Sequence, residues 1–190
     1  MSKLGSSDNP LKVAIVGAGP SGFYAADALI NSDLKVEVNL IEKLCAPYGL
    51  VRTGVAPDHP LIKKSIEKFA VMAEPEEFNY FGNVSVGKDI TVDELKETHH
   101  AVIITMGAET DRKLGIPGED LKGSHTATEF VAWYNGHPEY REREFDLSHE
   151  TAVIIGQGNV AADVARILSK TVDELKCTDI SQHALDVLEI

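Results

Sequence analysis

Two glycine-rich turns of one pattern constrain this chain more than anything else in it: VGAGPSGFYAADAL at residues 16–29 and GQGNVAADVARIL at residues 156–168. Each follows a short apolar run, KVAIV at 12–16 and TAVII at 151–155, and each precedes a stretch with helical apolar periodicity. A buried strand that stops at glycine and feeds a helix is the opening of a βαβ unit. Around the first turn Ala25, Ala28 and Leu29 share a helix face, and KVEVNLI at 35–41 alternates as a second strand. After the second turn Val160, Val164, Ile167 and Leu168 define the predicted buried face, and little chain follows.

The residue types in the turns point to dinucleotides. Gly17 permits the tight bend, Gly19 lets backbone approach a pyrophosphate, and Gly22 lets helix and sheet pack closely. The helix start offers unpaired N–H groups and a positive dipole end to that pyrophosphate. Glu42, 20 residues after Gly22 at the end of the second strand, is placed to accept both hydroxyls of an adenosine ribose. A carboxylate there selects FAD or NAD over NADP. The second turn, Gly156-x-Gly158-x-x-Ala161, carries the tolerated alanine in third place. Asn159 is positioned to cap its helix, and Asp163 falls in the first turn, where a helix dipole favours an acid. The residue that separates NAD from NADP belongs to a following strand, so spacing leaves the second cofactor open.

Between the turns, Pro47, Gly49, Gly54, Pro57 and Pro60 make 43–60 an irregular loop. A helix follows, with Ile62, Ile66, Phe69, Ala70 and Ala73 as its apolar stripe. GNVSVG at 82–87 and AVIIT at 101–105 read as strands. The hexapeptide TVDELK occurs at 91–96 and again at 171–176. In both copies Thr and Glu are spaced as a capping box, so two helix starts explain it better than duplication. Thr126 with Glu129 makes a third box, opening a helix through Tyr134, and a last helix is predicted near 179–188. The predicted organisation is a disordered lead-in at 1–10, a first dinucleotide-binding domain over 11–108, a connecting region over 109–150, and the start of a second domain over 151–190. The fold class is α/β, with two dinucleotide-binding (Rossmann-like) βαβ domains, both incomplete in this chain.

Composition removes several alternatives. A net charge of −12 argues against nucleic-acid binding, which needs clustered cations, and against an anionic membrane surface. No apolar run approaches the roughly 18 residues of a membrane helix. MSKLGSSDNP has neither a signal-peptide core nor a transit-peptide pattern, which points to the cytoplasm, or to the mitochondrial matrix if a transit peptide has been removed. The two cysteines, Cys45 and Cys177, form no CxxC, which leaves no disulfide scaffold, paired-cysteine metal site or redox dithiol. Both read as reduced thiols packed as small hydrophobes. His99 and His100 read as surface or strand-edge histidines.

PYGLVRTGVAPDHP at 47–60 narrows the reading. With VGAGPSGFYAADAL, FGNVSVGKDIT, WYNGHPEY and IIGQGNVAADVARIL, it closely resembles the adrenodoxin reductase family, the mitochondrial-type ferredoxin–NADP reductases and their bacterial relatives, over residues 11–190. The resemblance implies a flavoprotein oxidoreductase that passes electrons from NADPH through FAD to a ferredoxin, an iron–sulfur protein. With the turn residues Gly17, Gly19 and Gly22, it implies FAD contacts at Pro20, Ser21, Glu42, Lys43, Gly49, Leu50, Val86 and Gly107. It implies NADPH contacts at Gly156, Gln157, Gly158, Asn159 and Val160. His59 and Asp163 match polar positions near the family's flavin–nicotinamide meeting point and are the candidate catalytic residues. A basic docking face for an acidic ferredoxin would draw on Lys63, Lys64 and Lys68. Family members are more than twice this long, so the resemblance implies an N-terminal part, ending before the strand expected after Ile190. Two other readings stay open: a dinucleotide-binding module without turnover, and an electron-transfer flavoprotein like that of glutamate synthase. The second usually carries cysteine clusters ahead of its first turn, and none precede Gly17.

Overall fold

A computed structural model describes residues 2–108 and 110–189. Along the chain the elements run β1 Leu11–Val16, α1 Pro20–Ile30, β2 Val36–Ile41, α2 Leu50–Thr53, α3 Pro60–Lys63, α4 Ser65–Met72, β3 Phe78–Phe81, α5 Val92–Thr98, β4 Ala101–Ile104, α6 Ala127–Tyr134, α7 Asn159–Ser169, α8 Val172–Leu175 and α9 Gln182–Leu188. They divide into two compact units, Met1–Val51 with Lys64–Gly107, and Arg52–Lys63 with Ala108–Ile190.

The first unit is built on a parallel sheet of four strands in the order β3-β2-β1-β4. β1 is apolar at successive positions because both of its faces are covered. Val13 and Ile15, with Val38 and Leu40 of β2, pack against Phe23 and Ala26 of α1 and Phe69 and Met72 of α4. Ala14 and Val16 point the other way and meet Leu95 of α5. Phe23 anchors the larger face, stacked on Phe69 and Phe78 with ring centroids 5.2 and 5.8 Å away.

Three local expectations change here. The third strand is Phe78–Phe81, not 82–87, which is a loop tied by one bridge between Val86 and Ile90. Aromatic FNYF is the better strand former, and Asn83, at φ 60°, breaks the extended run beyond it. The helix over 62–73 is two helices, α3 and α4, interrupted at Lys64. Ile62 and Ala70 are consequently exposed, while Met72 takes the buried position. Residues 2–10, expected as a disordered lead-in, carry a hydrogen-bonded turn: Gly5 N–H donates to Asn9 O, and Lys35 N–H donates to Gly5 O.

In the second unit the core is aromatic. Phe130, Trp133 and Tyr134 of α6 gather Phe145, Val164 and Ile167 of α7, Leu175 of α8, and Ala184 and Leu185 of α9. Trp133 lies 5.0 Å from Phe145 and 5.6 Å from Phe130, centroid to centroid. Among the described residues this unit has no strand, so the expected strand at 151–155 does not form. A parallel strand exists only where neighbours take its ladder hydrogen bonds. With none available, Val153 is 84% exposed and Ile155 69%.

The repeated hexapeptide behaves as two helix starts. Thr91 caps α5 and Thr171 caps α8, each exchanging hydrogen bonds reciprocally with the Glu three residues on. Thr126 accepts from Glu129 N–H without the return bond. Cys45 and Cys177 are free and exposed rather than packed. His100 does sit at the sheet edge, its Nδ1 accepting from Lys12 N–H at 3.0 Å. No helix of the described residues is long and apolar enough to cross a membrane.

Candidate functional site

The first turn is held by the sheet around it. Gly17, at φ 104°, donates its N–H to Ile41 O, and Thr105 at the end of β4 donates its hydroxyl to both Val16 O and Gly17 O at 2.9 Å. A Cβ on Gly22 would be driven into the Gly17 carbonyl oxygen, so helix and turn meet there with no room for a side chain. Pro20 opens α1, where its missing N–H costs nothing, with Ser21 exposed beside it.

Gly19 is different from its neighbours. Its backbone is extended (φ −81°, ψ −177°), and a Cβ there would meet nothing within 4 Å. The fold therefore makes no demand for glycine at this position. What it provides is open space at the N-terminus of an 11-residue helix.

Glu42 stands at the end of β2 and faces the turn. Its Oε2 accepts from Ala18 N–H at 2.8 Å and its Oε1 from Leu44 N–H at 3.1 Å. Both oxygens keep a lone pair for further donors. The loop after it closes over the turn: Tyr48 N–H donates to Ala18 O, and a Cβ on Gly49 would come 2.9 Å from Gly19 Cα. Leu50 is 71% exposed, and Lys43 is half-buried. Val86 packs into the smaller core with Val16 and Ile41, and Gly107 ends the unit at φ 72°.

The second turn repeats the geometry of the first without its sheet. Gly158 is the extended N-cap of α7 (φ −82°, ψ 177°), and a Cβ on it also meets nothing within 4 Å. Asn159 is already helical, so it does not cap the helix as its type suggested. Gly156, Gln157 and Val160 are exposed, and Val160 is off the buried face that Val164 and Ile167 form.

Behind this turn the second unit gathers a charge cluster. Asp163 sits one turn further into α7 than expected, beyond the reach of the helix dipole, and its partners are side chains. Its Oδ1 lies 3.2 Å from His59 Nε2 and accepts from Arg166 Nη2 at 2.8 Å. Arg166 also grips Asp58 by two bonds, Nε to Oδ2 at 2.5 Å and Nη2 to Oδ1 at 2.8 Å. Lys170 Nζ adds a 2.7 Å contact to the same Asp58 Oδ2. The Asp58 side chain is 6% exposed. The Arg166 hydrogen bond, followed by that of Lys170, outweighs burial and holds the Asp58 carboxyl well below the usual carboxylate range. Asp58 in turn raises Arg166 above its ordinary value. Tyr134 is fully buried nearby, with a hydroxyl that has no hydrogen-bond partner among the described residues. Burial first, then the charges of Asp163 and Asp58, push its phenol above its ordinary value.

Sequence reasoning named His59 and Asp163 but missed Asp58, Arg166, Lys170 and Tyr134. Only Arg166 had a local signal, three residues from Asp163 on one helix face. Lys63, offered as part of a basic docking face, is spent elsewhere: its Nζ contacts Asp179 at 2.7 Å and Asn135 at 3.0 Å, and the side chain is 11% exposed. An open cleft of about 600 Å³ in the same unit is lined by Arg112, Lys113, Glu119, Tyr140 and Arg143, and includes none of the sequence candidates.

The family model for pyridine nucleotide-disulphide oxidoreductases matches residues 11–189, both turns included. The chain belongs to this family. The chain is 56% identical over 177 residues to the mitochondrial NADPH:adrenodoxin oxidoreductase of Salvelinus fontinalis, covering 93% of this chain and 36% of that protein. It is 50% identical over 185 residues to that of Arabidopsis thaliana, covering 97% and 38%. The structure of Mycobacterium tuberculosis FprA in complex with NADPH superposes with a TM-score of 0.92 at 50% identity, covering 95% of this chain and 41% of that one. The chain thus spans about two fifths of the length of these relatives.

Proposed function

We propose that this chain forms the FAD-binding turn and the NADPH-binding turn of an NADPH–ferredoxin reductase. One observation carries the reading. Gly19 and Gly158 have the same extended backbone, each caps an 11-residue helix, and neither is required by its surroundings. Two such openings suit a phosphate group approaching main-chain N–H groups. The likeness to reductases named for NADPH, adrenodoxin and ferredoxin supports the same assignment.

In the first unit Gly17, Gly19, Pro20, Ser21 and Gly22 would hold the FAD pyrophosphate, and Glu42 the adenosine ribose. Glu42 fits this task because two backbone N–H groups fix its carboxylate while leaving lone pairs free. Lys43, Gly49, Leu50, Val86 and Gly107 would complete the FAD contacts. In the second unit Gly156, Gln157, Gly158, Asn159 and Val160 would hold NADPH, with His59 and Asp163 as the polar pair serving the reaction. When bound, FAD would supply what side chains lack, the capacity to accept one hydride and release its two electrons singly to an iron–sulfur partner. This reading puts the protein in the cytoplasm or, as relatives named mitochondrial would support, in the mitochondrial matrix. The domain limits proposed are 11–108 for FAD and 151–190 for the start of the NADPH domain, joined by 109–150.

The test is the visible absorbance spectrum of the purified chain after incubation with FAD and gel filtration, followed by anaerobic NADPH. The reading predicts a retained flavin spectrum that bleaches on NADPH addition and returns with an oxidised ferredoxin. Absence of retained flavin contradicts it.

A further inference from the structure

The His59–Asp163 contact has the look of an imidazole donating to a carboxylate, and the hydrogen count argues otherwise. Arg166 Nη2 lies 2.8 Å from Asp58 Oδ1, 2.8 Å from Asp163 Oδ1 and 2.9 Å from His59 Nε2. A guanidinium nitrogen donates and never accepts, and each Nη carries two hydrogens. Three acceptors therefore share two donors, and at 2.9 Å the ring nitrogen facing Arg166 must offer a lone pair. A proton on Nε2, whether in the neutral ring or the imidazolium, would set two donors against each other at that distance.

We infer that Arg166 is the positioning residue of His59, holding the ring as the Nδ1–H tautomer with Nε2 locked as an acceptor inside the cluster. Asp163 is then a second acceptor on the same arginine rather than the base that receives the His59 proton. Arg166 is itself fixed by Asp58, whose other oxygen is closed by Lys170. Asp58, Asp163, Arg166, Lys170 and the Tyr134 hydroxyl are the ionisable groups of this cluster, and Arg166 is the donor whose contact with the ring decides the tautomer. The consequence is directional: Nδ1–H becomes the atom from which His59 can donate to a bound molecule. That consequence rests on the reading of His59 as a reaction-site residue, whereas the tautomer does not.

The measurement is a long-range proton–nitrogen correlation spectrum of the full chain labelled at histidine, at neutral pH. His59→Gln identifies the His59 signals by their loss. The wild-type protein should give the pattern of a neutral ring protonated at Nδ1. Asp163→Asn should leave that pattern in place, because Arg166 remains. Arg166→Met should convert it to the Nε2–H pattern, the ring now free to donate to Asp163. A wild-type ring protonated at Nε2 overturns the inference, as does a switch in Asp163→Asn. Should Arg166→Met fail to fold, the wild-type and Asp163→Asn spectra still decide. Failure of the chain to bind FAD or NADPH, with the tautomer as stated, would sink the proposed function and leave Arg166's role standing.

Discussion

The two glycine turns share a backbone and differ in everything that supports it. In the first, β1 enters the turn paired on both sides, Thr105 ties the bend from β4, and Gly22 seats α1 against it. In the second, the residues before Gly156 run exposed, and α7 is held by an aromatic core and the Asp58–Arg166–Lys170 cluster. The middle glycine is nonetheless alike in both, extended and unconfined. The scaffold around a turn can change from hydrogen-bonded sheet to charge cluster while the part that would face a ligand stays the same.

Removing each support in its own unit sharpens this contrast. The largest effect is expected in the second unit. Asp58→Ala leaves Arg166 and Lys170 short of a buried counter-charge and should cost about 3 kcal/mol. Trp133, the sole tryptophan and buried in that unit, reports the loss in urea unfolding. The pH dependence follows in sign. Because the folded Asp58 carboxyl lies below its unfolded value, its contribution is present above about pH 4 and fades as pH falls further. Asp58→Ala should therefore flatten the acid limb of the Trp133 unfolding profile.

Next comes Gly22→Ala, in which the new methyl meets backbone that cannot yield. It should destabilise the first unit by about 2 kcal/mol, read by hydrogen exchange of β1 amides, with Trp133 unmoved. The repeated TVDELK gives a matched pair: Thr91→Ala and Thr171→Ala should each cost about 1 kcal/mol, each confined to its own unit. Unequal costs would show that helix capping depends on the scaffold as much as the turn supports do. The smallest effect is expected for Tyr134→Phe, which deletes a buried hydroxyl without a partner among the described residues and should change unfolding by under about 0.5 kcal/mol or stabilise.

What the sequence disclosed follows the same division. Local chemistry was legible: both turns, α1 and α7, both capping boxes and the β1–β2 pair follow from spacing within a few residues. Pairing at a distance was not. TAVII has the composition of a buried strand, but composition carries no information about whether a neighbour exists to pair with it. Cys45 and Cys177 are exposed for a similar reason, since burial depends on what packs over a residue. His59 and Asp163 were reached through resemblance, while Asp58 and Lys170 lie 112 positions apart and meet only in the fold. Where GNVSVG and FNYF competed for the third strand, aromatic packing on Phe23 and the turn at Asn83 decided it.

On the proposed function, Gly19 is kept for a ligand and not for the fold. Titration of FAD into the wild-type chain and into Gly19→Ala, followed by flavin fluorescence, tests it most directly. The wild type should bind saturably and the variant at least about tenfold more weakly, with its stability within about 1 kcal/mol of the parent. Equal binding by the two chains, or a variant that unfolds, would contradict it.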